Sequence, residues 1–403
     1  MESEIAGWLS IVFRFVHVLA AIMWIGNSLL FTWMELNLIL PKKEDDAPDD
    51  LLGHLNMLHG GGVFHLQKKL IDPAAIPVPL HWFMWQSYTT WISGVLLLIA
   101  TFYVNGGSAL MDATKATLTG WQAVGLSAGG IVGWWLVYNT IWNSKLKDVP
   151  KLAIPLTLAL LIASAWGFNQ CFNGRAVFLQ IGAMMGSSMS GNVFFHIIRN
   201  QKIFMASLLA GQEHDLKYGK QAKTRSLHNH YMTFPVLFLM LSAHFPQLAG
   251  ADWNIGILTV VIVALMTVKH LMNSRDYFRH WLASIFGTFA AACLAIWAFL
   301  SAPVSAKPGE SPDVAAGKAL FNSQTCATCH VAGGSAIAPD LKGIFNSKQT
   351  LTDGSTVTAD EAYLRTSIKQ PQLQVVKGFA PAMPALPLTD QQVEQLVAYL
   401  KTL

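Results

Sequence analysis

The feature that most constrains this chain is a succession of long apolar stretches. A helix needs roughly twenty mostly apolar residues to cross a bilayer, and eight stretches are of about this length: 8–39, 81–104, 121–142, 152–171, 176–198, 228–246, 254–272 and 281–301. Only 12% of the residues are charged and 53% are hydrophobic, which is too apolar for a soluble chain of this length. The sequence therefore predicts an all-α fold built around a polytopic membrane bundle of about eight transmembrane helices.

The charged loop residues predict how this bundle is oriented. Lys and Arg cluster after the first, third, fifth and seventh stretches, whereas the opposite loops carry only Lys115 and Arg175. Because positively charged loops are retained on the cytoplasmic side, we expect both termini to lie on the other side of the membrane. The net charge of +4 forms no basic stripe along the sequence, so we expect the lipid bilayer, and no nucleic acid, as a partner.

A change of composition after residue 301 predicts a second domain. The segment 302–312 is rich in Pro and Ser and is typical of a linker, and the remainder, 313–403, has the ordinary hydrophobicity of a soluble domain. Its last segment has an apolar stripe that follows Thr389, which predicts a closing amphipathic helix capped by that residue. We therefore expect a membrane domain over 1–301, a linker over 302–312 and a small extramembrane domain over 313–403.

The extramembrane domain carries a haem-attachment motif. Cys326, Cys329 and His330 form a Cys-x-x-Cys-His run, the spacing that attaches one haem through two thioethers and supplies an axial imidazole. Met383 is the only methionine after His330, and a thioether opposite an imidazole raises the reduction potential of the iron. We expect a class I cytochrome c domain with one covalent haem c, whose iron is bound by His330 and Met383. Bacteria attach such haems outside the cytoplasmic membrane, which agrees with the loop charges and predicts a periplasmic cytochrome on an inner-membrane protein.

The first apolar stretch contains a candidate ligand for a second haem. His17 lies three residues after Arg14, so the two side chains share one face of the helix. Ionisable groups at membrane depth are costly and tend to be functional, and two imidazoles from facing helices commonly hold a b-type haem in a helical bundle. Electrons from a substrate on the far side would need a relay across about 30 Å of hydrocarbon. We therefore expect one or more b-type haems, with His17 as one ligand and a partner that the sequence does not identify.

Other polar residues inside the apolar stretches have a simpler expected role. They are Asn27, Glu35, Gln86, Asn139 and Asn192. Polar side chains in membrane helices commonly form hydrogen bonds between helices, and this is the role that we expect for all five.

Four segments resemble one known family. They are RFVHVLAAIMWIGNSLLFTWMEL, WQSYTTWISG, GAMMGSSMSGNVFFHIIRNQ and RSLHNHYMTFPVLFLMLSAHFP. Together they are similar to the membrane-bound urate oxidases, in which an eight-helix membrane domain is fused to a C-terminal cytochrome c. The resemblance implies that urate is oxidised to 5-hydroxyisourate and that electrons pass to the chain's own haem, without direct formation of hydrogen peroxide. A periplasmic cytochrome or a terminal oxidase would then accept them. The first helix also resembles that of small haem proteins that oxidise protoporphyrinogen, with the histidine at His17.

The implied chemistry indicates which residues to expect in the site. A planar purine anion calls for a cation, amide groups at the ring edges and a base for the attacking water. These groups cluster at one predicted cytoplasmic helix end: Arg225, His228, Asn229 and His230. Arg14 and His17 are an alternative on the outer side, and we prefer the first group because purine catabolism is cytoplasmic.

Two other classes of function remain open from the sequence. One is a haem-containing subunit that relays electrons from a quinol or another dehydrogenase to the cytochrome domain, without substrate chemistry. The other is a transporter with a regulatory redox tail. A haem–copper oxygen reductase is disfavoured, because no helix contains the adjacent pair of histidines that would build its copper site.

Overall fold

The structure is a computed structural model, and it describes most of the chain. The described residues are 2–41, 48, 50–69, 80–104, 107, 109–112, 115–210, 216–302, 311–324, 326–330 and 338–403. Most of the expected linker, 302–312, lies outside them. Each of the eight apolar stretches contains a helix. Four helices are long and apolar enough to cross a membrane: Gly7–Leu36, Pro150–Asn169, Asn254–Asn273 and Trp281–Ser301.

The elements follow one another along the chain with short connections. The helices are α1 (Glu2–Leu36), α2 (Trp85–Leu98), α3 (Gly120–Asn143), α4 (Pro150–Asn169), α5 (Gly174–Gly191), α6 (Arg199–Leu209), α7 (Leu216–Leu241), α8 (Pro246–Ala249), α9 (Asn254–Asn273), α10 (Trp281–Ser301), α11 (Pro312–Ser323), α12 (Cys326–Cys329), α13 (Glu361–Lys369) and α14 (Asp390–Leu400). The strands are β1 (Leu51–His59), β2 (Gly62–Lys69), β3 (Lys348–Thr350) and β4 (Thr356–Thr358). Two π-helical segments, Ile99–Tyr103 and Asn192–Ile198, directly follow α2 and α5. The residues form two compact units, one of 1–100 with 186–233 and one of 101–185 with 234–403.

In the first unit, α1 and α2 pack closely because α2 presents small residues. Ser87, Thr90 and Ser93 are buried along α2, and a Cβ added at Gly94 would lie 2.9 Å from Cε1 of His17. Small residues let two helices approach closely where lipid offers no hydrophobic driving force. The α1–α2 pair is therefore held by close packing and by polar contacts.

A β-hairpin between α1 and α2 corrects the all-α prediction. Strands β1 and β2 pair in antiparallel register with His59 opposite Gly62. Gly60 and Gly61 form the turn with φ values of 59° and 81°, a conformation that glycine adopts without a steric cost. Lys68 of β2 forms an ion pair with Glu35 at the end of α1, so Glu35 contacts the hairpin and does not form the interhelical hydrogen bond that we expected. A second short hairpin, β3–β4, lies in the cytochrome domain.

In the second unit, a buried polar chain links α3 to α5. Gln180 is 1% exposed, and its Oε1 accepts a hydrogen bond of 2.6 Å from Ser127. Its Nε2 donates to the Ser127 carbonyl at 2.8 Å, and the hydroxyls of Ser127 and Tyr103 are 2.8 Å apart. Buried polar groups need such partners, because an unpaired one keeps its full desolvation cost. This chain of bonds accordingly fixes how α3 meets α5.

The cytochrome domain is built on a close crossing of its first and last helices. A Cβ added at Gly317 of α11 would lie 1.8 Å from the carbonyl oxygen of Gln395 in α14, so only glycine permits this approach. The rings of Phe321 and Tyr399 pack beside it with centroids 5.4 Å apart. Helix α14 begins at the predicted N-cap, Thr389, which forms a capping box with Gln392. The expected closing helix is thus confirmed. On the surface, Glu361 of α13 accepts hydrogen bonds from Arg365 at 3.0 Å and from Lys401 at 2.6 Å.

Candidate functional site

A deep, mainly apolar cleft in the cytochrome domain brings together the predicted haem ligands. Cys326, Cys329 and His330 line one part of it, and Met383 lines it from a distant part of the chain. The cleft contains about 1390 Å³ of space free of protein atoms. Its apolar lining includes residues of α11, α13 and α14: Phe321, Leu364, Ile368, Leu396 and Leu400.

The His330 imidazole is oriented by a backbone carbonyl. Its Nδ1 lies 2.9 Å from the carbonyl oxygen of Pro339, and since a carbonyl can only accept, Nδ1 carries the proton. The lone pair is then on Nε2, the arrangement that metal-ligating histidines use. Burial lowers the pKa of His330, only partly offset by the hydrogen bond to Pro339, which keeps the ring neutral. Burial also raises the pKa of the Cys326 thiol to about 11.

The residues of this cleft fit a covalent haem c. Two thiols and one imidazole on a single short segment supply the attachment points and one axial ligand, and the Met383 thioether suits the other axial position. Oε1 of Gln374 lines the cleft and is buried without a hydrogen-bond partner in the described part of the chain. Such an orphaned acceptor in a native fold calls for a missing group. The walls, the donors and the orphaned oxygen all agree with a porphyrin in this position.

In the first helical unit, the α7 residues expected in the substrate site form part of a buried polar network. Arg225 is 3% exposed and Asn229 is 7% exposed, and they lie one turn apart on the same face of α7. Nη1 of Arg225 donates to Oδ1 of Asn192 at 3.4 Å, and Nδ2 of Asn192 donates to Oδ1 of Asn229 at 2.9 Å. Asn229 in turn donates to the carbonyl of Met189 at 3.0 Å. A guanidinium and two amides are thus held together between α7 and the α5 region.

His230 faces a different neighbour. Oγ1 of Thr32 in α1 lies 3.2 Å from Nε2 and 3.3 Å from Nδ1 of His230, and the Ser28 hydroxyl lies 3.4 Å from Nε2. Thr32 donates its only hydroxyl hydrogen to the Ser28 carbonyl at 2.9 Å, so its oxygen accepts a proton from the imidazole. His228 is half-buried one turn after Arg225. The structure thus joins Arg225 and Asn229 in one network and directs His230 toward α1.

His17 is held in the same way as the cytochrome histidine. Its Nδ1 lies 2.9 Å from the carbonyl oxygen of Thr90, so that Nδ1 carries the proton and the lone pair is on Nε2. The Ser93 hydroxyl lies 3.3 Å from the same nitrogen. Arg14, in contrast, is exposed and makes no hydrogen bond within the described residues. Ser28, the contact of His230, lies eleven residues further along α1, roughly 16 Å at 1.5 Å per residue. His17 and His230 therefore belong to separate levels of the bundle.

The other polar residues of the apolar stretches have mixed outcomes. Asn192 forms the interhelical hydrogen bond that we expected, with Asn229. Asn139 accepts from Asn143 of its own helix at 3.0 Å, and Gln86 has a buried Oε1 without a partner in the described part of the chain. Sequence reasoning did not assign a role in the site to Asn192, because it lies at the start of a π-helical segment whose wider turn changes the direction of the side chains. Such segments often occur at functional sites, but a sequence pattern gives no signal for them.

Two family models match this chain. The model described as "Urate oxidase N-terminal" matches residues 3–300, and the model described as "Cytochrome c" matches residues 314–403. No curated protein matches the chain significantly. The cytochrome c match implies a covalent haem c, in agreement with the cleft, and the first match covers well over half of the 403 residues. The chain therefore belongs to the urate oxidase N-terminal family and carries a C-terminal cytochrome c domain.

Proposed function

We propose that this protein oxidises urate to 5-hydroxyisourate in its helical part and passes the electrons to its own haem c. The observation that carries the proposal is the buried network of Arg225, Asn192 and Asn229 in a chain that also contains a haem c cleft. A guanidinium is a planar, permanently charged donor that suits an anion with ring carbonyls. The membership in the urate oxidase family supports urate as that anion.

Each residue of the network has a defined role in this reaction. The urate anion and one water yield 5-hydroxyisourate, one proton and two electrons. Arg225 binds the anionic purine, and the amide of Asn229, with that of Asn192, hydrogen-bonds to the ring edge. His230 accepts the proton of the water that adds at C5, in the manner of a general base, and His228 lies beside them as a further proton-accepting group. No step in this scheme produces hydrogen peroxide.

The electrons leave one at a time, because one haem iron accepts one electron. In the cytochrome domain, His330 and Met383 hold the iron axially and Cys326 and Cys329 anchor the ring. The Nδ1 hydrogen bond of His17 to a backbone carbonyl supports a b-type haem in the bundle as a relay. Its second ligand is not His230, which contacts α1 about 16 Å away along the helix axis. A periplasmic cytochrome or a terminal oxidase accepts the electrons from haem c.

The membrane arrangement belongs to the same proposal. The eight apolar stretches span the bacterial inner membrane, both termini are periplasmic, and the domains are 1–301 and 313–403 with a linker over 302–312. The support is the positions of Lys and Arg in the loops together with the periplasmic attachment of c-type haem. In this topology, Arg225 and His230 lie toward the cytoplasm, where purines are degraded.

Anaerobic reduction of the haem by urate tests the proposed function. Urate added to the purified holoprotein should reduce haem c while the urate absorbance falls, with two haem equivalents reduced per urate. If urate leaves the haem oxidised and a quinol reduces it, the protein is an electron relay. Pyridine haemochrome spectra test the second haem, and a spectrum of c-type haem alone would refute the role of His17.

A matched pair of variants tests the site. Arg225→Lys keeps the charge but removes the planar fork, and we expect the KM for urate to rise about tenfold. Lys223→Ala removes an exposed cation from the same helix and should leave the KM unchanged. Equal effects of the two variants would assign Arg225 to general electrostatics and not to binding.

A further inference from the structure

One buried acceptor in the helical part is left unexplained by the proposed reaction. Oε1 of Gln86 in α2 is shielded from solvent, yet it has no hydrogen-bond partner among the described residues. Leaving a buried carbonyl oxygen unpaired costs about 1–3 kcal/mol, so such a group in a native fold indicates a missing donor. Ser87, the next residue, does have a partner, because its hydroxyl lies 3.4 Å from that of Ser190.

The position of Gln86 on α2 shows which surface it shares. Gln86, Thr90 and Ser93 recur at helical spacing and therefore lie along one face of α2. Thr90 and Ser93 on this face contact His17 of α1, so Gln86 belongs to the face that packs against α1. The rings of Phe31 and Phe83 meet with centroids 5.1 Å apart and mark the other end of the α1–α2 contact.

Gln86 thus lies between the His17 level and the level at which His230 meets α1. His230 contacts Ser28 and Thr32, which flank the Phe31 position. All these residues belong to the same compact unit as Arg225 and Asn229. The orphaned oxygen therefore lies on the side of α2 that faces the helix carrying the His230 contacts.

We propose that Gln86 binds the purine substrate, with Oε1 accepting a hydrogen bond from a ring N–H. This inference rests on the proposed function and adds a specificity-determining residue to it. Oxidised purines present N–H and C=O groups side by side along their edges. A primary amide presents one acceptor and one donor group in the same way, so Gln86 can pair with both. A site that uses such a pair rejects analogues that lack the N–H, because the amide oxygen would again be buried without a partner.

Steady-state kinetics of the holoprotein with urate and with its N-methyl derivatives test this assignment. Gln86→Leu should raise the KM for urate about tenfold with little change in kcat, the effect of one lost hydrogen bond to a charged ligand. It should also reduce the discrimination against one N-methylurate, because the methylated ring no longer leaves an unpaired oxygen. Gln86→Glu keeps the size and should raise the KM further by repelling the anion.

Controls separate the possible results. Gln170→Leu alters an exposed glutamine at the end of α4 and should leave the KM and the discrimination unchanged. Ascorbate-reduced spectra show that each variant holds its haems and is folded. If Gln86→Leu keeps the KM within about twofold of wild type, or if it loses b-type absorbance while the KM stays constant, Gln86 does not bind the purine. If wild-type haem c is not reduced by urate at all, the proposed function fails and this inference fails with it.

Discussion

Replacing Gly317 with alanine would test the helix crossing that forms the haem cleft. The new Cβ would lie 1.8 Å from the carbonyl oxygen of Gln395 and 2.8 Å from Cβ of Tyr399. Contacts shorter than 3.0 Å are essentially absent from real structures, and the obstacle is backbone, which no rotamer change can remove. Helix α14 must therefore move away from α11 by at least ~1.2 Å, and the cleft wall that it forms moves with it.

The size of the effect follows from the side chains buried at this crossing. A gap of about 1 Å forfeits a quarter to a half of the dispersion energy. Phe321, Leu396, Val397 and Leu400 are all less than 9% exposed, and each contributes about 2 kcal/mol by burial. The loss is therefore roughly 2–4 kcal/mol, against a gain of about 1 kcal/mol from the better helix propensity of alanine. We expect a net loss of about 2 kcal/mol, or a Tm lower by about 8–16 °C for a domain of this size.

Thermal unfolding of the full-length holoprotein measures this effect. The charge-transfer band of the methionine-ligated iron reports on the cytochrome domain alone, because it requires Met383 to stay in place. Gly219→Ala is a suitable control, since a Cβ at that position in α7 meets nothing within 4 Å. A Tm for Gly317→Ala within about 2 °C of wild type would show that α11 and α14 do not cross as closely as described.

Three further changes address the other contacts. Gly94→Ala should displace the His17 ring, which would lie 2.9 Å from the new Cβ, and should lower the b-type absorbance per haem c; an unchanged haem ratio would separate His17 from haem binding. Thr32→Val should reduce kcat/KM for urate about fivefold, as expected for one lost hydrogen bond to His230, and should shift the pH profile, whereas Thr32→Ser should restore both; no shift would leave Thr32 a packing residue. Hydrogen bonds from the two cations beside Glu361 lower its pKa in the folded state, so its stabilising effect is present above the unfolded pKa of about 4.3 and is lost as the pH falls through the folded pKa. The Tm difference between wild type and Glu361→Gln should accordingly shrink on acidification, and a constant difference would contradict this linkage.

Features that depend on local chemistry could be predicted from the sequence. The haem attachment segment needs only the spacing of Cys326, Cys329 and His330, and the N-cap at Thr389 needs only the pattern of the residues that follow it. Met383 was identifiable because it is the only methionine after the motif. These predictions agree with the cleft and with the start of α14.

Features that depend on packing between distant elements were not predictable in the same way. Helix α7 begins at Leu216, twelve residues before the apolar stretch 228–246, because helices extend beyond the apolar segment when charged residues can reach water. The β1–β2 hairpin follows a weak alternation in which histidine and asparagine replace the usual β-branched residues, so hydrophobic periodicity gave little signal. The link between Asn192 and Asn229 depends on a π-helical turn, and the orphaned Gln86 oxygen appears only when α1 and α2 are packed.

The crossing of α11 and α14 also sets the order in which the cytochrome domain can fold. The two helices that meet at Gly317 come from opposite ends of the domain, so their contact is among its most non-local and requires the largest loop closure. Contacts of this kind form late and slow the folding rate. Cys326 and Cys329 therefore remain reachable while the intervening chain is still open, and α14 docks over the cleft last. Haem attachment has a kinetic window that the arrival of this final helix closes.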